Sequence, residues 1–195
     1  MTRRPSVIPR LTTRSDVPGQ VPIALRPVDG AVDRPMLARW LVMDHVRRWW
    51  GDPALNLADF DEMPAARHLI VVADGAPIGY IRWRHVRRQD LSETGVPVIP
   101  DGAVDIDLFI GEPEWLGRGA GSAALLLLLE RLRADPPAPF ASVSTSVQNA
   151  RAIRAYEKAG FRRHLQYDDS DSGTSWIMLA PLRPPALATS DALVP

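Results

Sequence analysis

The stretch that most constrains this chain is residues 104–133, VDIDLFIGEPEWLGRGAGSAALLLLLERLR. Alternation over residues 104–110 predicts a strand with Asp105, Asp107 and Phe109 on one face and Ile106, Leu108 and Ile110 on the other. A Glu-Pro-Glu-Trp turn follows, then a loop with glycine at 117, 119 and 121, then an almost wholly apolar helix. Glycines at a helix start leave backbone N–H groups open at the positive end of the helix dipole, which is a phosphate site. A phosphate cradle and two carboxylates therefore share one strand–loop–helix unit.

The rest of the chain supplies a frame for that unit. The spacing predicts a strand over residues 22–28, capped by Asp29 or Asp33 into a helix that carries Met36, Leu37, Trp40 and Leu41. A short helix with Val46, Trp49 and Trp50 ends at Gly51, and a weaker helical segment spans residues 56–66. A hairpin is predicted from residues 68–73 and 78–86 about Asp74 and Gly75. Beyond the glycine-loop helix come a strand at 140–145, a helix at 149–159 stopped by Gly160, and a closing hairpin of 161–167 and 175–182. This order predicts an α+β domain built on a single mixed, mostly antiparallel twisted sheet flanked by helices. Residues 21–182 are expected to form it, with residues 1–20 and 183–195 as loosely ordered ends.

Charge and composition exclude several functions. Lys plus Arg and Asp plus Glu are balanced at 23 each, so neither nucleic acid nor an anionic membrane is an expected partner. The arginine-rich run of Arg82, Arg84, Arg87 and Arg88 reads instead as charges guarding an exposed hairpin edge. There is no cysteine, which removes thiolate nucleophiles, disulfides and cysteine-ligated zinc. The four histidines have no metal spacing, so no metal is expected. No secretory signal and no membrane span are read, and a cytoplasmic protein is expected. The oligomeric state is left at monomer or homodimer.

Two phosphate-binding readings of the loop fail. No lysine follows the glycines, as a nucleotide P-loop requires. A dinucleotide fingerprint is matched in spacing only: Glu112 to Leu116 separate it from its strand, and no acid ends the strand at Ser144.

A third reading takes several segments together. The loop of Leu116, Gly117, Arg118, Gly119, Ala120 and Gly121, with the segment NARAIRAYEKAGF from Asn149 to Phe161, resembles the GNAT N-acyltransferase superfamily. The resemblance implies a GNAT fold with acyl-CoA in the cleft between two central strands. Leu116 stands where Gln or Arg is usual. Within the superfamily the chain is most similar to aminoglycoside 6′-N-acetyltransferases, through VRRWWG at 46–51, PIGY at 77–80 and the Ile106-Asp107 pair. Ser144 stands where such enzymes often carry an aspartate. Siderophore lysine N-acyltransferases share the Trp-rich region and the Ile110-Gly111-x-Pro113 turn.

What the resemblance implies is acetyl-CoA-dependent acetylation of a primary amine, most closely that of a polycationic aminoglycoside, in antibiotic resistance. A hydroxylysine-type or protein amine, or a non-catalytic acyl-CoA-binding module, are the alternatives. Acyl transfer from a thioester must remove a proton from the ammonium and stabilise the departing thiolate. Asp107 is the candidate base, its alternative being an ordinary surface carboxylate. If the strand bulges near the cofactor, one of its amides could serve as oxyanion donor. Tyr156 is placed by the resemblance at the thioester sulfur, its alternative being a core tyrosine.

Acetyl-CoA contacts are expected from Leu108, Phe109 and Ile110, from Leu116, Gly117, Arg118, Gly119, Ala120, Gly121 and Ser122, and from Asn149, Ala152 and Tyr156. Acceptor contacts are expected from Trp49, Trp50, Asp105 and Asp171, the alternative for Asp105 being a structural role. One tryptophan should pack in the core and the other line the cleft, because consecutive helical residues diverge. Asp52, Glu93, Asp101, Asp168 and Asp169 are further loop acids that a polycation would favour.

Overall fold

The computed structural model describes residues 11–12, 21–86, 102–134, 138–169 and 173–183. Eight strands form one sheet: β1 (Leu11–Thr12), β2 (Ile23–Pro27), β3 (His68–Ala73), β4 (Ala76–His85), β5 (Val104–Ile110), β6 (Phe140–Ser146), β7 (Arg162–Asp169) and β8 (Gly173–Pro181). Their spatial order is β1-β2-β3-β4-β5-β6-β8-β7. Every neighbouring pair is antiparallel except β5 and β6. Five helices cover the sheet: α1 (Gly30–Leu41), α2 (Asp44–Trp50), α3 (Pro53–Glu62), α4 (Ala120–Ala134) and α5 (Ala150–Lys158). The α+β expectation and its element order hold. Within residues 1–20, the short β1 pairs with β2.

Both faces of the sheet are buried, which explains why β3 reads as an unbroken apolar run. Leu69, Val71, Ile81, Ile106 and Leu128 share one core with α4 and α5. Ile70, Val72, Tyr80 and Phe109 share a second with Leu37, Trp40 and Val46 of α1 and α2 and Phe60 of α3. Alternate residues of β2, β3 and β5 thus feed opposite cores. The face of β5 that carries Asp105 and Asp107 is therefore roofed by α1–α3, and Phe109 on it is a core residue.

Local chemistry sets the helix starts. Asp29 caps α1 by accepting from the Ala31 and Val32 amides. Asp33, the other expected cap, is instead buried and takes a two-pronged ion pair from Arg26 at 2.6 and 2.7 Å. Asp52 caps α3 through the Ala54 amide. Asp74 and Gly75, at φ of 49° and 78°, make the tight β3–β4 turn that suits a twisted hairpin.

One crossing fixes the end of β5. Gly111 lies so close to Trp40 that an added Cβ would come within 2.2 Å of the indole. The Trp40 Nε1–H donates to Glu112 at 2.9 Å, and Arg39 donates to the same oxygen at 2.7 Å. Glycine is required there for close approach rather than for a turn. This clamp holds the strand end against α1 and sets where the glycine loop begins.

Candidate active site

The parallel neighbours β5 and β6 pair only at Val104↔Ala141 and Asp105↔Ser142. Beyond those two positions the strands part, opening a window through the sheet. Gly111 donates to the Ile78 carbonyl at 2.8 Å, so by the period of an antiparallel ladder Asp107 and Phe109 also direct their backbone groups toward β4. Leu108 and Ile110 direct theirs to the opposite edge, the one that β6 has left. Their amides are thus the open ones, as an oxyanion donor or pantetheine contact needs. The expected bulge is absent. Between β4 and β5 the register runs without a shift from Gly79↔Ile110 to His85↔Val104, and divergence of β6, not a bulge, frees these amides.

The glycine loop stands at one side of this window. Gly117 and Gly119 have φ of 76° and 85°, conformations that cost an L-residue roughly 1–2 kcal/mol. A Cβ at either would meet nothing within 4 Å, so the space before the first turn of α4 is open. Gly119 O accepts the Ala123 amide at 3.0 Å, which makes it the last residue before the helix. Among the described residues no turn or cap bond engages the amides of Gly117 to Gly121, and a helix start with free amides suits a pyrophosphate by dipole sign. Arg118 stacks on Trp115 at 5.8 Å. Ser122 is buried in the first turn of α4. Leu116 ends the short 3-10 turn Pro113–Trp115, its amide donating to the Pro113 carbonyl. A groove of about 150 Å³ is lined by the loop residues Arg118, Gly119 and Ala120 together with Val21, Ile23, Trp115 and Ala123, and shares no residue with β5 or β6.

On the α4–α5 face, Tyr156 is buried in the core and packs on Phe161 at 6.0 Å. Burial first, then Asp107 and Asp105, push its hydroxyl above the usual tyrosine range. It therefore stays an O–H donor at neutral pH. None of the described residues hydrogen-bonds that hydroxyl. Asn149 is an N-cap, accepting the Ala152 amide at 3.1 Å, so that amide is already engaged.

On the opposite face the two carboxylates differ. Asp107 is 35% exposed and its Oδ2 accepts from Arg82 Nε at 2.8 Å. Asp105, 16% exposed, accepts from Ser142 Oγ at 3.0 Å and lies 3.5 Å from Arg84. Burial first, and repulsion from Asp107 second, push Asp105 up to about 6 against the pull of Arg84 and Ser142. Asp105 thus sits at the closed apex of the window, enclosed by protein partners, and not in the open part where an acceptor contact was expected. Trp50 edge-stacks on Phe109 at 4.8 Å and on Tyr80 at 6.2 Å, while Arg82 lies over its ring at 5.0 Å. It is the tryptophan that packs against the core. Trp49 stacks with Arg48 at 4.8 Å, and no described contact joins it to Asp107.

Other expected acids are engaged or undescribed. Asp52 caps α3, and Asp168 accepts from Thr174 Oγ1 at 2.9 Å. Asp171, Glu93 and Asp101 lie outside the described residues, as do Arg87 and Arg88. Among the described residues no acidic or histidine cluster suits a metal ion.

The residue that sequence reasoning missed is Arg82. Read as the guard of an exposed edge, it lies on an interior strand between β3 and β5 with its side chain 9% exposed. The antiparallel register sets Arg82 opposite Asp107 and Arg84 opposite Asp105. The sequence held a signal for this: Arg-x-Arg in one strand and Asp-x-Asp in the next, a complementary cross-strand ladder. Tyr80 was missed also. Its O–H donates to His68 Nδ1 at 2.6 Å while His68 Nε2 donates to the Met63 carbonyl at 3.0 Å. Burial holds that imidazole below its ordinary pKa, so it is neutral.

Residues 29–168 match the family model of the acetyltransferase (GNAT) domain. Aminoglycoside N(6′)-acetyltransferase type 1 of Klebsiella pneumoniae is 32% identical over 141 residues, 67% of this chain and 70% of that protein. A kanamycin resistance protein of Rhizobium radiobacter is 40% identical over 62 residues, 32% of this chain and 57% of that protein. The solved structure of AAC(6′)-Ib with paromomycin and acetyl-CoA is 28% identical, with a TM-score of 0.68 over 82% of this chain and 93% of that one.

Proposed function

The chain belongs to the GNAT acetyltransferase family, and from that premise we propose that it moves the acetyl group of acetyl-CoA to the 6′-amine of an aminoglycoside. The observation that carries the reading is the window between β5 and β6. It has a phosphate cradle and a buried tyrosine on one side and an ion-paired carboxylate on the other. Relatives with this fold are solved with acetyl-CoA and paromomycin, and with coenzyme A and kanamycin.

Donor and acceptor enter from opposite faces. The amides of Gly117, Arg118, Gly119, Ala120, Gly121 and Ser122 hold the pyrophosphate, and the thioester arm runs along the Leu108 and Ile110 edge. The acceptor amine comes from the α1–α3 face, over Trp50 and Tyr80, to Asp107. Asp107 takes a proton from the ammonium, directly or through a water. The freed nitrogen lone pair attacks the carbonyl carbon, whose oxygen gains charge beside the open β5 amides. As the C–S bond breaks, the Tyr156 O–H hydrogen-bonds or protonates the thiolate, and the second proton, lost from the tetrahedral nitrogen as the amide forms, makes good the one given to sulfur. No covalent enzyme intermediate forms, in keeping with the absence of cysteine. The cytoplasm, where acetyl-CoA is made, is the compartment this reaction requires.

The test is thiol release from acetyl-CoA with kanamycin, ribostamycin and paromomycin. Paromomycin carries a hydroxyl at the 6′ position, so regioselective transfer predicts release with kanamycin and ribostamycin and little with paromomycin. Asp107→Asn should lower kcat at pH 7 by at least about 100-fold, the usual reach of a general base. Release with none of these amines sinks the acceptor, and a wild-type rate in Asp107→Asn sinks the base.

A further inference from the structure

Arg82 is the least expected charge in the molecule. It is a nearly buried guanidinium on an interior strand, reached by carboxylates from two different elements. Its Nε meets Asp107 Oδ2 at 2.8 Å, and its NH1 lies 3.4 Å from Asp59 of α3. Its plane lies over Trp50 of α2 at 5.0 Å. Asp59 itself is 54% exposed, so α3 reaches inward to Arg82 through a side chain that is otherwise in solvent. A guanidinium is a rigid fork with donors in fixed directions. Clamped by an indole face and two carboxylates, it has no freedom left to follow a moving Asp107, so the carboxylate must conform to it.

We propose that Arg82 is the positioning residue of the transfer: it fixes the rotamer of Asp107 through Oδ2, turns Oδ1 toward the acceptor amine, and ties that carboxylate to the acceptor-side helix α3 through Asp59. This rests on Asp107 as the group that receives the amine proton. The groups that act on Asp107 are Arg82 and Tyr80 from β4, Asp105 from β5 and Tyr156 from α5, while Asp59 of α3 reaches Arg82, Arg84 of β4 reaches Asp105, and α2 contributes the uncharged Trp50. Among them Arg82 is the only cation within hydrogen-bond reach, and His68 behind it is held neutral. Without Arg82, Asp105 and Asp107 become like charges two residues apart, offset only by the exposed Arg84, which lies 3.5 Å from Asp105 and makes no ion pair with Asp107. A carboxylate pair in that state binds protons more tightly, and the acid limb of the pH profile moves up.

The experiment measures thiol release from acetyl-CoA with kanamycin between pH 5 and 9, for wild type, Arg82→Gln, Arg82→Lys, Asp59→Asn, Asp107→Asn and the Arg82→Gln/Asp107→Asn double variant. Arg82→Gln is expected to lower kcat by at least about tenfold and to raise the acid limb of kcat/KM by about one pH unit, with the acetyl-CoA KM unchanged. Arg82→Lys should return the limb, because charge is restored, but not the full kcat, because the fork is lost. Asp59→Asn removes a negative neighbour and the α3 tether, so the limb moves down and kcat falls several-fold. It also keeps the test open should Arg82→Gln fail to fold, since Asp59 is largely exposed. The double variant should be no worse than Asp107→Asn alone, as members of one unit are non-additive. An unmoved limb in Arg82→Gln, full kcat in Arg82→Lys, or unchanged kcat and limb in Asp59→Asn overturns the proposal. A wild-type rate in Asp107→Asn overturns instead the reading on which it rests.

Discussion

Asp105 should weaken the protein that holds it. Its carboxyl is pushed from an ordinary 3.8 to about 6, by burial first and by Asp107 second. An acid whose folded-state pKa lies above its unfolded value binds protons more tightly when folded. Stability therefore falls as pH rises through the window between 3.8 and about 6, and stays reduced above it. At about 1.4 kcal/mol per pH unit, the whole shift is worth roughly 3 kcal/mol. Part of that belongs to repulsion shared with Asp107, and Asn carries a desolvation cost of its own. Asp105→Asn is thus expected to stabilise the protein by about 1–2 kcal/mol above pH 6, which in a chain of 195 residues is a melting shift of roughly 3–6 °C. Near pH 4, where Asp105 is protonated and resembles Asn in shape, the gain should vanish. The partners permit the exchange. Ser142 Oγ can still donate to the amide oxygen, and Arg84, 59% exposed, is hydrated once released. The assay is urea denaturation followed by far-UV circular dichroism at pH 4, 5, 6 and 7.5, on both proteins. A gain that does not change across that range, or a loss at pH 7.5, refutes the argument. Either result would mean that Asp105 is held by its partners rather than opposed by its burial.

Two further outcomes follow from the donor side. Tyr156→Phe removes the hydroxyl while leaving the packed ring, so kcat should fall about 10–100-fold with the melting temperature nearly unchanged; a wild-type kcat in steady-state assays would assign Tyr156 to the core alone. Gly119→Ala places a Cβ in open space but at a φ of 85°, so strain of about 1–2 kcal/mol should appear as a several-fold rise in the acetyl-CoA KM; calorimetric titration with coenzyme A checks it, and unchanged affinity would show that the loop does not carry the pyrophosphate.

The glycine loop, the strand before it and the Asn149 cap were legible because each rests on local chemistry: alternation, positive-φ glycines, a side chain that caps its own helix. The placement of Asp105, Asp107 and Phe109 on one face was legible too, since a strand's period is two. What roofs that face was not legible: α1–α3 cover it, and periodicity within one strand cannot say which face a distant helix covers. Arg82 shows the same limit more sharply. Charged residues alternating along β4 are what an exposed edge would carry, and also what an interior strand carries opposite a complementary partner. Only the β4–β5 register separates the two, and it joins residues 25 positions apart. The expected bulge in β5 came from resemblance and not from a residue, and the regular register replaces it with the parting of β6.

That parting ties the chemistry to the cost carried by Asp105. In a sheet paired throughout, both edges of β5 would be engaged, and no amide would remain to meet a thioester oxygen. Nor, in the proposed mechanism, could a tyrosine on the α4–α5 face and a carboxylate on the α1–α3 face serve the leaving sulfur and the attacking amine of one transfer. The parallel β5–β6 junction meets both needs by ending after two pairs. Parting strands must have an apex, though, and the last paired residue of β5 is Asp105. Its side chain falls where the sheet is still closed, so it is desolvated, while Asp107, two residues on and past the apex, is half open to the acceptor face. One step along the same strand face thus separates a carboxyl that holds its proton up to about pH 6 from a carboxylate fixed by a guanidinium. Ser142 and Arg84 offset the burial of the first, and Arg82 aims the second. The difference between the two aspartates follows from where the strands part, and ending the pairing before Asp105 or carrying it past Asp107 would remove it.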